Sequence, residues 1–67
     1  MKEYGRTELA QRYCPQLTPD AAWRKLKRWI TLNRELTREL QNLGYTHRQR
    51  TFTPKMVGCI FHWLGEP

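Results

Sequence analysis

Thr18 to Leu32, TPDAAWRKLKRWITL, constrains this chain more than any other stretch. A threonine followed by proline fixes where a helix begins. The hydroxyl accepts an orphan amide of the first turn, and the missing N–H of proline costs nothing there. Advancing about 100° per residue from Asp20, Ala22, Trp23, Leu26, Trp29 and Ile30 fall in one arc. Arg24, Lys25, Lys27 and Arg28 fall in the opposite arc, with no acid after Asp20. A helix of this kind lays its apolar side on a core and turns a purely basic side outward, toward solvent or a polyanion.

The rest of the chain arranges itself around that helix. Thr7 is expected to cap a short first helix, with Glu8 favourably placed in its first turn and Leu9, Ala10 and Tyr13 on one side. Pro15 stops it, because the residue before a proline avoids the helical region. Asn33 is expected to end the basic helix and cap a third one. Leu32, Leu36, Leu40 and Leu43 then form a leucine stripe, read as core, and Gly44 supplies a left-handed stop. Tyr45 to Phe52, YTHRQRTF, has no helical period and no acid, and is expected to be a minimal hairpin or an extended wing. Thr53-Pro54 repeats the cap-plus-proline start of a fourth helix, running to about Leu64 before Gly65. Met56, Val57, Ile60, Phe61, Trp63 and Leu64 cover a wide arc of it, with Cys59 at the edge and Lys55, Gly58 and His62 on the polar strip. The expected fold is mainly α: four short helices in a single domain over 1–67, with a helix-turn-helix core.

Size and charge narrow the function. A chain of 67 residues buries only about 60% of its unfolded surface, which leaves little room for an enclosed substrate pocket. Twelve Lys and Arg against six Asp and Glu leave a formal charge of +6, and residues 21–34 carry five basic side chains and no acid. Such clustering attracts nucleic acid, anionic membrane or an acidic protein, or serves only as a solvated face. No signal peptide or spanning run is evident, and two cysteines, Cys14 and Cys59, are few for a secreted scaffold. A cytoplasmic setting with free thiols is expected.

Catalytic and metal signatures are weak. There is no Gly-rich phosphate loop, no paired carboxylates and no Gly-x-Ser-x-Gly turn, so an enzyme is not expected. Cys59 and His62 stand three apart, with Cys14 and His47 elsewhere, but structural zinc sites show tighter ligand pairs at both ends. No cofactor is expected. His47 is read as an exposed residue or a phosphate contact. The three tryptophans lie on or beside apolar arcs, which favours core packing over base stacking.

The first two helices, joined by a short turn, have helix-turn-helix spacing, in which the second helix enters the major groove. Arg24 and Arg28 lie one turn apart at the centre of its outward face, Lys25 and Lys27 flank them, and small Ala21 and Thr31 permit close approach. Arginine reads guanine bidentately, whereas lysine more often neutralises phosphate. The candidate contacts to double-stranded DNA are Arg24, Lys25, Lys27, Arg28 and Thr31 on the helix and Arg48 and Arg50 on the wing. The alternative is a protein-interaction adaptor whose basic helix binds an acidic partner. A membrane-surface role is disfavoured, because the bulky apolar residues of the basic helix are needed for the core.

Thr7-Glu8-Leu9-Ala10, Gly44-Tyr45 and Arg50-Thr51-Phe52-Thr53-Pro54 resemble the mercury-resistance-regulator and excisionase class of winged helix-turn-helix proteins. That resemblance implies a reading helix carrying Arg24, Lys25 and Arg28 and a basic wing carrying Arg48 and Arg50; the DNA-binding expectation is electrostatic docking with limited base reading, as a dimer or as an accessory to a recombinase. The inserted third helix, Asn33 to Leu43, departs from the class, and its long coiled coil and effector domain have no counterpart in these residues. Over nearly the full length, from Tyr4-Gly5-Arg6 through Trp29-Ile30 to Leu64-Gly65-Glu66-Pro67, the chain also resembles a family of short proteins of uncharacterised function from Bacteroides-type bacteria. This second resemblance implies a bacterial cytoplasmic origin and no particular activity.

Overall fold

A computed structural model describes residues 3–46 and 48–67. In chain order the elements are β1 (Tyr4–Gly5), α1 (Arg6–Tyr13), α2 (Pro19–Leu32), α3 (Arg34–Asn42), β2 (Thr51–Phe52) and α4 (Pro54–Leu64). The four helices and the mainly α class are as expected.

Three of the four helix starts follow from capping chemistry. The Thr18 hydroxyl accepts from the Ala21 amide at 3.3 Å, Asn33 Oδ1 from Leu36 at 3.0 Å, and the Thr53 hydroxyl from Met56 at 3.4 Å. Each satisfies an amide that has no partner inside its own helix. Pro19 and Pro54 sit in the first turns of α2 and α4. Gly44, at φ +93°, takes the left-handed conformation that follows α3, which a side chain would strain. The first helix differs from expectation. Its N-cap is Gly5, whose amide donates to Glu8 Oε1 at 3.2 Å, and Thr7 lies inside the first turn. The Glu8 carboxylate serves the exposed amide better than a hydroxyl two residues later could.

The core draws on every element. Leu9, Leu26, Leu36, Leu40, Val57 and Ile60 are wholly buried, and Phe52 and Met56 nearly so. No polar or charged residue is buried among the described residues. Trp23 and Trp29 are half-buried at the two edges of the apolar arc of α2. Tyr13 meets Trp29 and Phe61 edge-on, at ring separations of 6.1 and 6.4 Å, and its hydroxyl donates to the Gly65 carbonyl. That contact ties the end of α1 to the end of α4.

Two further expectations need correction. The leucine stripe holds at Leu36 and Leu40, whereas Leu32 is 72% exposed and Leu43 41%. Asn33 adopts φ −98° and ψ 97°, which breaks the helical path. Leu32 therefore keeps the direction set by α2, about 240° around the wheel from buried Leu26, and points outward. The second concerns residues 45–52, where no hairpin forms among the described residues. Thr51–Phe52 pairs antiparallel with Tyr4–Gly5, in the register Tyr4 with Phe52 and Gly5 with Thr51. The Arg6 amide extends the pairing, donating to the Arg50 carbonyl at 2.8 Å. A strand of two residues gives no alternation to detect, and its partner lies at the other end of the chain rather than across a tight turn.

Candidate nucleic-acid interface

The fold holds the basic face of α2 rigidly outward. Ala22, Leu26 and Ile30 are buried beneath it, and the first two are wholly inaccessible. Arg24, Lys25, Lys27, Arg28 and Thr31 are all exposed. Helical geometry places Arg24 and Arg28 at the centre of this face, with Lys27 and Thr31 to one side and Lys25 to the other. Lys25 Nζ stands 5.6 Å from the centre of the Trp29 ring, a cation–π distance that steers it toward that flank.

Thr31 has a narrower chemistry than a free hydroxyl. Its Oγ1 donates to the Lys27 carbonyl at 2.7 Å. The hydroxyl proton is thus committed to the helix, and the oxygen is left as an acceptor. It suits a base amino group and not a phosphate oxygen.

The third helix does not separate the arm from α2; it brings the two together. The Thr37 hydroxyl donates to the Ile30 carbonyl at 2.8 Å, fastening α3 to the last turn of α2. The chain then doubles back so that Tyr45 and Thr46 share with Lys27, Thr31 and Gln41 the walls of a cavity of about 410 Å³, floored by Ile30 and Leu40. The arm therefore starts beside the C-terminal half of α2, on the Lys27 side. A turn closes from the Gln49 amide to the Thr46 carbonyl at 3.0 Å. Arg48 and Arg50 are both exposed, and Arg50 is held in place by its carbonyl at the β1–β2 pairing. These two arginines sit on an irregular segment and not on a hairpin. His47 lies outside the described residues.

Arg6 is a basic residue that the sequence reading did not single out. Its guanidinium lies 5.2 Å from the centre of the Trp23 ring. Trp23 in turn contacts Phe52 at 6.1 Å, and Phe52 stacks on Tyr45 at 5.4 Å with the rings 19° apart. Burial pushes the Tyr45 hydroxyl pKa up, and the nearby positive charge of Arg6 partly opposes that rise. Arg6 thus joins the arm to the Trp23 edge of α2. Its only sequence signal was its place just before the first apolar residues, which does not reveal a partner at position 23.

Elsewhere a carboxylate bridges α3 and α4. Glu39 Oε2 accepts from Cys59 Sγ at 2.9 Å and from Trp63 Nε1 at 3.0 Å. The Cys59 hydrogen bond, then that of Trp63, lower the Glu39 pKa. Burial, followed by the bond and charge of Glu39, pushes the Cys59 thiol up to about 12. Both cysteines are free thiols, with Cys14 buried at the end of α1. Among the described residues no group of three or more His, Cys, Asp and Glu side chains is placed to hold a metal ion.

The fold and its exposed cationic helix define a small mainly α domain whose most distinctive surface is basic. The chain belongs to the family described as Domain of unknown function (DUF4248), which it matches over residues 1–67. No curated protein and no solved structure matches it. No helix among the described residues is long and apolar enough to cross a membrane.

Proposed function

We propose that this domain binds duplex DNA by docking the outward face of α2 in the major groove, as a transcriptional or recombination accessory factor of the bacterial cytoplasm. The observation that carries the reading is the exposed set of Arg24, Lys27 and Arg28 on a helix whose underside is locked by Ala22, Leu26 and Ile30. A rigid helix of about 10–12 Å diameter matches a groove of about 12 Å. In this reading Arg24 and Arg28 face base edges, and Lys25 and Lys27 reach the phosphates on either side. Thr31 accepts from a base amino group. Arg48, Arg50 and Arg6 extend the contact along the backbone on the arm side. The α1–α2 pair acts as a helix-turn-helix, with α1 bracing the reading helix.

The test is fluorescence anisotropy with random-sequence duplex DNA across a salt series. Each phosphate neutralised contributes about −0.9 to the slope of log affinity against log salt, so four or five contacts give a slope near −4. The double variant Lys25→Ala, Lys27→Ala, with its fold checked by circular dichroism, is expected to flatten that slope by about 2, whereas Arg24→Ala, Arg28→Ala is expected to lose affinity through the base edges. Absence of binding at low salt overturns the proposal and directs attention to an acidic protein partner for the same helix.

A further inference from the structure

The geometry points to a second copy of this chain docking against the Leu32 flank of α2 when both copies are on DNA; the inference rests on the DNA-binding reading above. Leu32, the last residue of α2, is 72% exposed and is one of two large hydrophobic side chains exposed among the described residues. A leucine this open leaves apolar surface in water that contact with a partner would remove. Leu32 stands at one edge of a shallow depression whose other apolar walls are Trp29 and Leu64, both half-buried, and whose rim is Asn33, Arg34 and Glu35.

A two-fold interface places the same patch on both sides, so a projecting group and its receptacle must adjoin one another. Here they do: Leu32 projects, and the Trp29–Leu64 depression receives. The charges are self-complementary as well. Arg34 and Glu35 are exposed neighbours on the rim, and a two-fold rotation sets the cation of each copy against the acid of the other.

The position on α2 agrees with DNA binding. Around the helix Leu32 lies on the Lys25 and Trp29 side of the Arg24–Arg28 line, whereas Lys27, Thr31 and the arm lie on the other. A two-fold axis parallel to the outward direction of Arg24 and Arg28 leaves both basic faces pointing the same way, toward one duplex. Free dimers are not expected. A stable interface buries roughly 800 Å² per partner, about a sixth of the 4753 Å² surface, and one leucine beside two half-buried residues supplies far less. Each copy also carries a formal charge of +6, which repels its twin in free solution. Phosphates neutralise that repulsion, so pairing appears only on the polyanion.

The experiment compares a duplex of about one turn, with room for one copy, with a duplex of about three turns, by native gel shift and anisotropy. The unaltered protein is expected to be monomeric by light scattering without DNA, and to fill the long duplex in pairs, the second copy binding about tenfold tighter than the first. Leu32→Ser, which adds no charge to the basic face, is expected to keep its affinity for the short duplex and lose the pairing. Glu35→Arg should lose it too, and the charge-swapped double variant Arg34→Glu, Glu35→Arg should regain it. All three positions are exposed, and circular dichroism checks each fold. Single-copy filling of the long duplex by the unaltered protein, or pairing that survives Leu32→Ser, overturns the inference while leaving the DNA-binding reading intact. Failure to bind even the short duplex overturns both.

Discussion

Cys59 offers a quantitative test of the contact between α3 and α4. Its thiol is pushed from 9.0 up to about 12, first by burial and then by the bond and charge of Glu39. Three units mean about a thousandfold less thiolate at neutral pH than an ordinary cysteine carries. The thiolate that does form is more nucleophilic, by about 20- to 30-fold for a Brønsted slope of 0.4–0.5. The net expectation is disulfide exchange about 40-fold slower than for a cysteine in an unstructured peptide. Glu39→Gln removes the charge and keeps an oxygen that accepts from both Cys59 and Trp63. Because burial is the largest single cause and the Gln oxygen still accepts from the thiol, the variant is expected to recover only part of the rate, a severalfold gain. The assay is timed reaction with an aromatic disulfide at pH 8, with peptide mapping by mass spectrometry to separate Cys59 from buried Cys14. Reaction of Cys59 within threefold of the peptide rate, or an unchanged rate in Glu39→Gln, would refute the reasoning.

Other expectations concern stability and its dependence on pH. The Glu39 carboxyl titrates below its ordinary 4.5 in the folded state, through its bonds to Cys59 and then Trp63. Its contribution is therefore fully present above that ordinary value and is lost as pH falls through the lower folded one; the Tm difference between the unaltered protein and Glu39→Gln should close over that acid range. Leu26→Ala empties a wholly buried site and should cost about 2–5 kcal/mol, enough by urea titration to unfold much of so small a domain. Asn33→Ala removes the α3 cap at the α2–α3 junction and should cost about 1 kcal/mol, read as a Tm lowered by about 4–8 °C.

What the sequence made legible depended on whether the cause was local. Thr18-Pro19 and Thr53-Pro54 announce their helices because a cap and its amide are three residues apart, and Gly44 announces a stop for the same reason. The basic face of α2 was readable because one period places Arg24, Lys25, Lys27 and Arg28 together and opposite Leu26. Leu32 was misplaced because the leucine period runs straight across Asn33, although a helix end is expected there; the same leucine continues one stripe on paper and leaves it in space. The β1–β2 pairing and the Arg6–Trp23 contact join positions far apart in the chain, and two-residue strands carry no pattern. The Glu39 bridge was hidden likewise, since its partners Cys59 and Trp63 lie 20 and 24 residues away.

The clasp between β1 and β2 has a consequence for how the chain reaches its native state. Tyr4 and Phe52 stand 48 positions apart, and closing a loop of that length costs about 3 kcal/mol of chain entropy beyond a constant. The helices and their caps form from neighbours and can flicker into place early, but Phe52, which fills the middle of the core, arrives only with the clasp. During synthesis, a nascent segment ending before residue 52 would have three helices around an unfilled centre. Cooperative folding must wait until nearly the whole domain has left the ribosome, and a truncated product lacking β2 would be a substrate for proteases rather than a smaller working version.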